Sequence, residues 1–193
     1  MSPVVRHLLP LLLLHATACM CTPPVPGSGF EGDDEGWLIS GNGDQTRPTF
    51  QPTGGSPNAN LCATDADPAD VWYFVAPPTY LGNKSDAAGL MITFEVKTNQ
   101  QFNLQYGRDV IIAGNGLSLS KSYPRAPGTD WTPRRVFLDG VSGWVVDETE
   151  LPATDEDVRS VLRNLTAFRI RGEFVDGPRD TGCLDNVQFG ATP

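Results

Sequence analysis

The 193-residue chain is predicted to form an all-β domain, a β-sandwich or jelly roll with one short helix. Three observations carry that prediction. Short apolar segments alternate with period two, Gly- and Pro-rich turns separate them, and one stretch alone repeats with helical spacing.

Taken in order, the first clear strand is Trp72 to Ala76, and it opens the unusual segment YFVAPPTYLGNKS. Pro77 and Pro78 end it, because proline has no amide for the ladder and restricts the residue before it. Tyr80 and Leu81 then have two readings. Either they fold back as a plug over the sandwich edge, with Gly82 turning the chain, or they form a binding rim on the Pro-Pro corner.

In Gly89 to Thr98, the residues Leu90, Ile92, Phe94 and Val96 alternate with Thr93, Glu95 and Lys97, as in a half-buried strand. DVIIAGNGLSLS, from Asp109 to Ser120, places two apolar runs around a Gly-Asn-Gly turn and predicts a hairpin. Arg135 to Leu138 and Trp144 to Asp147 add short strands. Thr154 caps the one helix, Asp155, Glu156 and Asp157 suit its first turn, and Val158, Val161, Leu162 and Leu165 share a face. A further strand has Phe168, Ile170 and Phe174 alternating with Arg169, Arg171 and Glu173, with Gly172 at a bend or bulge. Leu184 to Phe189 ends the series.

The N-terminus has a different character. Arg6, the leucine-rich run from Leu8 to Leu14 and the small residues Ala16, Thr17 and Ala18 describe an export signal over residues 1–18. The apolar run is far short of the roughly 20 residues that span a bilayer. Ala-Thr-Ala-Cys also has the form of a bacterial lipoprotein cleavage site, with Ala16 where leucine is usual. Cys19 is therefore either a lipid anchor or the neighbour of an ordinary cleavage site. Residues 19–29 include TPPVPGSGF up to Gly29 and read as a Pro/Gly-rich tether, with the folded domain over 30–190. The expected location is a bacterial cell envelope, as a lipoprotein, or the exterior as a secreted protein, touching a membrane only through the lipid. Asn83-Lys84-Ser85 and Asn164-Leu165-Thr166 are glycosylation sequons that matter only in a eukaryotic secretory route.

Export permits disulfides, and of the four cysteines only Cys62 and Cys183 fall in the folded part, so these two are expected to pair, leaving Cys21 over. The 23 acidic against 14 basic residues give a formal net charge of −9, which opposes a nucleic-acid partner. The only histidines, His7 and His15, lie in the signal segment, so histidine-based nucleophile systems and His-ligated zinc are excluded from the mature chain. Glu31, Asp33, Asp34, Asp65, Asp67 and Asp70 are candidates for a glycosidase carboxylate pair or for acidic surface loops. The chain is read as non-catalytic.

The succession YFVAPPTYLGNKS, GLMITFEVKT, DVIIAGNGLSLS, DWTPRRVFLDGVSGW, DVRSVLRNLTAFRIRGEF and GCLDNVQF resembles the laminin IV type A domain, also called the laminin B domain. The resemblance covers Phe30 to Gly190. It implies a galactose-binding-like jelly roll and a structural or adhesive extracellular module without known chemistry. The flanking EGF-like cysteine repeats of laminins are missing from this sequence.

By similarity to carbohydrate-binding jelly rolls that hold calcium between first and last strands, Glu31, Asp33 and Asp185 are the expected calcium ligands. Asp185 shares strand parity with Val187 and Phe189, which predicts an inward carboxylate needing a cation or donors, with Arg169 or Arg171 as the alternative partner. Asp65, Asp67 and Asp70 lack an EF-hand's glycine and closing glutamate and read as a solvated loop. Two functions compete: a surface-tethered module binding a glycan or an extracellular matrix or envelope protein, and a passive structural component with no small ligand. Trp37, Trp72, Trp131 and Trp144 separate them, since two on one exposed face imply sugar stacking and core positions imply packing.

Overall fold

In a computed structural model, which describes residues 26–41, 46–65, 71–176 and 179–193, two six-stranded antiparallel sheets pack face to face. The expected signal segment, Cys19, Cys21, Asp67 and Asp70 lie outside the described residues. The strands are β1 (Gly27–Ser28), β2 (Leu38–Ser40), β3 (Thr49–Gln51), β4 (Asn60–Thr64), β5 (Tyr73–Val75) and β6 (Met91–Thr98). After them come β7 (Val110–Gly114), β8 (Leu117–Lys121), β9 (Thr132–Phe137), β10 (Trp144–Val146), β11 (Leu165–Arg171) and β12 (Thr181–Ala191). The first sheet runs β3-β4-β12-β6-β9 with β1 also on β12, and the second runs β10-β8-β7-β11-β5-β2.

The first sheet begins before the boundary expected at Phe30. Gly27 and Ser28 pair with Gln188 and Val187, and Phe189 N donates to Pro26 O at 3.0 Å. The physical reason is an open edge: β4 pairs only with Thr181 to Leu184, so the rest of that edge of β12 would leave backbone groups unpaired. An extended Pro/Gly segment is well suited to cover it.

Period-two alternation produces β6, where Ile92, Phe94 and Val96 are buried and Thr93, Glu95 and Lys97 half-buried. The hairpin between β7 and β8 closes on Asn115 and Gly116, both at positive φ (50° and 77°), the conformations a two-residue hairpin turn demands. Helix α1 (Asp155–Arg163) starts with a reciprocal cap between Thr154 and Asp157 and buries Val158, Val161 and Leu162. Leu165, expected on its last turn, instead opens β11.

At one end of the core, Trp37 meets Phe30, Tyr80 and Phe168 edge-on, with ring centroids 6.1, 5.3 and 6.0 Å away. The Pro-Pro corner leads into a 3-10 turn, Pro78–Tyr80, that drives Tyr80 inward until it is 1% exposed. Its phenol donates to Ser28 Oγ at 2.8 Å, and Trp37 Nε1 donates to the same oxygen at 3.0 Å. Leu81 packs against the core from the edge. The pair is a plug, and the binding-rim reading of Tyr80 and Leu81 is corrected by this burial.

Cys62 and Cys183 stand directly opposite each other on β4 and β12 and form the disulfide. It closes a sequence separation of 121 residues, a long loop whose restriction in the unfolded chain is typically worth a few kcal/mol.

Near the opposite end, three carboxyl groups are buried together. Asp65 and Glu173 are 2% exposed and Asp180 is fully buried, so Asp65 is no solvated loop residue. Glu173 Oε2 accepts from Trp72 N at 3.1 Å, and Asp180 Oδ2 accepts from Phe174 N at 3.0 Å. Burial, with the Asp65 and Asp180 charges adding to it, pushes Glu173 up to about 7, while burial and Asp65 also raise Asp180.

Two predictions follow from this end of the sandwich. A Cβ on Gly172 would lie 1.9 Å from Trp72 Cζ3, so Gly172→Ala should destabilise the domain by about 3 kcal/mol in chemical denaturation. Raised carboxyl pKa values favour the folded state below the ordinary value of 4.5, and that advantage is lost as pH rises through about 7. The Tm is therefore expected to fall between pH 5 and pH 8, and Glu173→Gln should flatten the slope. A Tm that climbs over this interval would contradict the assignment.

Candidate polar groove

The outward face of β12, β6 and β9 is arranged in rows, because paired residues in neighbouring strands sit side by side about 4.8 Å apart. One row is Gln188, Thr93 and Arg135, and the next is Asp185, Glu95 and Pro133. Beyond them lie the disulfide and Lys97, with Trp131 just ahead of β9. Over the two rows lies a groove of about 570 Å³ lined by Thr93, Phe94, Glu95, Pro133, Arg134, Arg135, Asn186 and Gln188. A smaller cleft of about 210 Å³ lies against the other sheet around Arg108, Ser120, Asp147 and Glu150.

Bordering the groove at its lining residue Asn186 is the connection from β3 to β4, residues 52–59, which five side chains tie down. Gly54 O accepts from Lys97 Nζ at 2.9 Å and from Trp131 Nε1 at 3.0 Å, and the Lys97 ammonium stands 4.2 Å from the centre of the Trp131 ring. Asp185 Oδ2 accepts from Ser56 N at 2.6 Å, Asn186 Nδ2 donates to Ser56 O, and Asn60 Nδ2 reaches Thr53 O at 3.2 Å. Asn186 Nδ2 also donates to Glu95 Oε2 at 2.6 Å. Close approach demands glycine at 55, where a Cβ would lie 2.0 Å from Ala59 O and 2.8 Å from Asp185 Oδ2.

Asp185 itself is a correction. It was expected to point inward with Val187 and Phe189, yet it lies on the outer face, buried beneath the 52–59 connection. A bulge between Asp185 and Gln188, with Asn186 at φ 50°, inserts the extra residue that reverses its parity. The spacing carries the sign of it: Leu184 to Val187 is three positions, whereas Val187 to Phe189 is two. Its partners are the amides of Ser56 and Asn186 (2.6 and 2.7 Å), in place of Arg169 or Arg171. Burial raises its pKa, the two amides oppose the shift, and Glu95 and Glu31 add to it.

The expected calcium ligands do not converge. Asp33 is exposed and caps its own turn by accepting from Glu35 N at 2.7 Å, and Glu31 Oε1 reaches Asn58 Nδ2 at 3.5 Å. Among the described residues, no group of three or more His, Cys, Asp or Glu side chains is placed to hold a metal ion.

Trp37, Trp72 and Trp144 are fully buried, so three of the four tryptophans serve packing. Trp131 alone is half-buried on the groove face. The groove residues went unrecognised in the sequence because Thr93, Glu95 and Lys97 read only as the polar side of a strand. Their assembly depends on pairing with β9 and β12, which lie far along the chain.

Comparison with known proteins matches this architecture. The Laminin B (Domain IV) family profile matches residues 73–192. Horse laminin subunit gamma-2 is 27% identical over 180 residues, covering 83% of this chain and 13% of that protein, so the chain spans a small fraction of such relatives. The L4b domain of human laminin alpha-2 has a TM-score of 0.67 at 12% identity, covering 84% of this chain and 95% of that one. A family 11 carbohydrate-binding module from Clostridium thermocellum, solved with a beta-1,3-1,4-mixed-linked tetrasaccharide, has a TM-score of 0.54 at 17% identity, covering 88% and 98%. At such identities the two structures speak to fold alone. Because the profile spans more than half of the sequence, the chain belongs to the Laminin B (Domain IV) family.

Proposed function

We propose that this domain is a non-catalytic extracellular binding module that holds a glycan in the groove over β6, β9 and β12. The observation that carries the reading is the groove's lining. Thr93, Arg135 and Gln188 supply donors, Glu95 and Asn186 supply acceptors, and all project from paired strands whose spacing is fixed. A glycan presents hydroxyls that both donate and accept, and such a mixed surface suits it. The fold likeness to a module solved with a tetrasaccharide supports the same ligand class. With three tryptophans in the core and Trp131 covered by Lys97, recognition rests on hydrogen bonding along the rows.

Gln188 is exposed, so Gln188→Trp should fill the groove without disturbing the core. On an immobilised glycan panel the wild-type chain is expected to retain at least one glycan and the variant to lose it. No binding by the wild type, or equal binding by Gln188→Trp, would remove the groove as a glycan site and favour a passive structural role or a protein partner.

We further propose that the module is held at a cell surface through Cys19. The support is the sequence around that residue, and among the described residues no helix is long and apolar enough to cross a membrane. Cys19→Ser should shift the protein from the membrane to the soluble fraction with an unchanged Tm. A mature N-terminus without acyl chains by mass spectrometry would refute the anchor.

A further inference from the structure

We infer that the groove takes an acidic glycan, with the carboxylate or sulfate groups of the polymer directed to its β9 wall. The inference rests on the glycan reading above and names the chemical class of that ligand. Arg135 is exposed at the end of the row it shares with Thr93 and Gln188, and among the described residues it forms no ion pair. Arg47, Arg108 and Arg163, by contrast, each have a carboxylate partner. A chain with 23 acidic residues thus leaves a guanidinium unpaired where the groove opens.

The neighbour of Arg135 on β9 turns to the other face of the sheet, so Arg135 is the cation of the groove. Arg134, alternating with Arg135 on β9, lies with its guanidinium carbon 4.8 Å from the Tyr123 ring centre and donates to Arg125 O at 2.6 Å. Opposite, on β12, the groove shows only the carboxamides of Asn186 and Gln188. Glu95 is its single acidic lining residue, and one of its oxygens is already occupied by Asn186. The groove is therefore neutral along β12 and carries the unpaired Arg135 along β9. A planar guanidinium beside a hydroxyl and an amide forms a fork for a carboxylate or sulfate, whereas a neutral sugar makes no use of its charge.

The net charge of −9 opposes a polyanion at long range. At physiological ionic strength that field decays over about 8 Å, so Arg135 governs the last step of approach.

The test titrates the full chain with three soluble polymers: polygalacturonate for carboxylates, dextran sulfate for sulfates and mixed-linkage β-glucan as the neutral control. Tighter binding of one or both acidic polymers than of the glucan is expected, with affinity falling as salt is raised. Arg135→Gln should weaken acidic-polymer binding by about tenfold or more, the usual weight of a hydrogen bond to a charged group, and weaken glucan binding by clearly less, since a neutral hydroxyl loses only an uncharged contact. Which acidic polymer loses more identifies the source of the anion. Binding confined to the glucan and indifferent to Arg135→Gln would overturn the inference while the groove stands. Acidic-polymer binding that survives Arg135→Gln unchanged would overturn it equally. Binding of no polymer, or binding that Gln188→Trp leaves intact, would overturn both.

Discussion

The bulge at Asn186 is the constraint on which the working face depends. Strand β12 is the centre of the first sheet, paired on one side with β4 and β1 and on the other with β6. Without an extra residue, Asp185 would point into the apolar space filled by Leu184, Val187 and Phe189, all at most 1% exposed. Asn186 at φ 50° absorbs that residue, and asparagine tolerates this conformation better than most side chains do. Three consequences come from one backbone irregularity. The core side keeps its hydrophobic register, Asp185 reaches Ser56 N, and Asn186 bridges Ser56 O to Glu95. The second and third create the groove wall.

The Pro-Pro corner serves the other margin of the sandwich. Pro77 and Pro78 cannot extend β5, so the chain turns and Tyr80 enters the core between Trp37 and Phe168. Ser28 then accepts from both Tyr80 and Trp37, which gives the buried phenol and indole donors their partner. Ser28 occupies that place because β1 pairs with β12. The N-terminal strand, the plug and the central strand are thus fixed by one shared hydroxyl. It also explains why the sandwich includes residues before Phe30: a segment that supplies a buried acceptor belongs to the fold, whatever its composition suggests.

How much could be seen in advance followed the range of the interactions involved. The alternation through Ile92, Phe94 and Val96 located β6, the Gly-Asn-Gly turn located the β7–β8 hairpin, and Thr154 located the start of α1, because each rests on neighbouring residues. Strands β1, β2 and β3 were not legible. Two or three residues long, they exist only through partners distant in sequence, as when Ile39 pairs with Phe74. Parity failed at Asp185 for a related reason, since counting by two assumes a regular ladder. Asp65 read as a solvated loop residue and Glu173 as the polar side of a strand, and only the approach of β4 to the end of β12 buries them as a group with Asp180. Of the groove, the sequence offered its polar strand face without the rows that turn it into a site.

The walls of the groove bear on how it would bind. The contacts that hold residues 52–59 span 43 positions from Gly54 to Lys97, 77 to Trp131 and 130 from Ser56 to Asn186. Contacts of such separation form only when the sandwich itself has formed, so folding orders this wall before any ligand arrives. The ordering entropy that a flexible loop would charge against affinity is then already covered by folding free energy. A preorganised wall next to strands locked by the disulfide favours a ligand that fits the existing row spacing over one that must remodel it. Affinity at such a surface is set by how many of the row residues a ligand engages at once, which makes an extended polymer lying along the strands a better match than a single sugar.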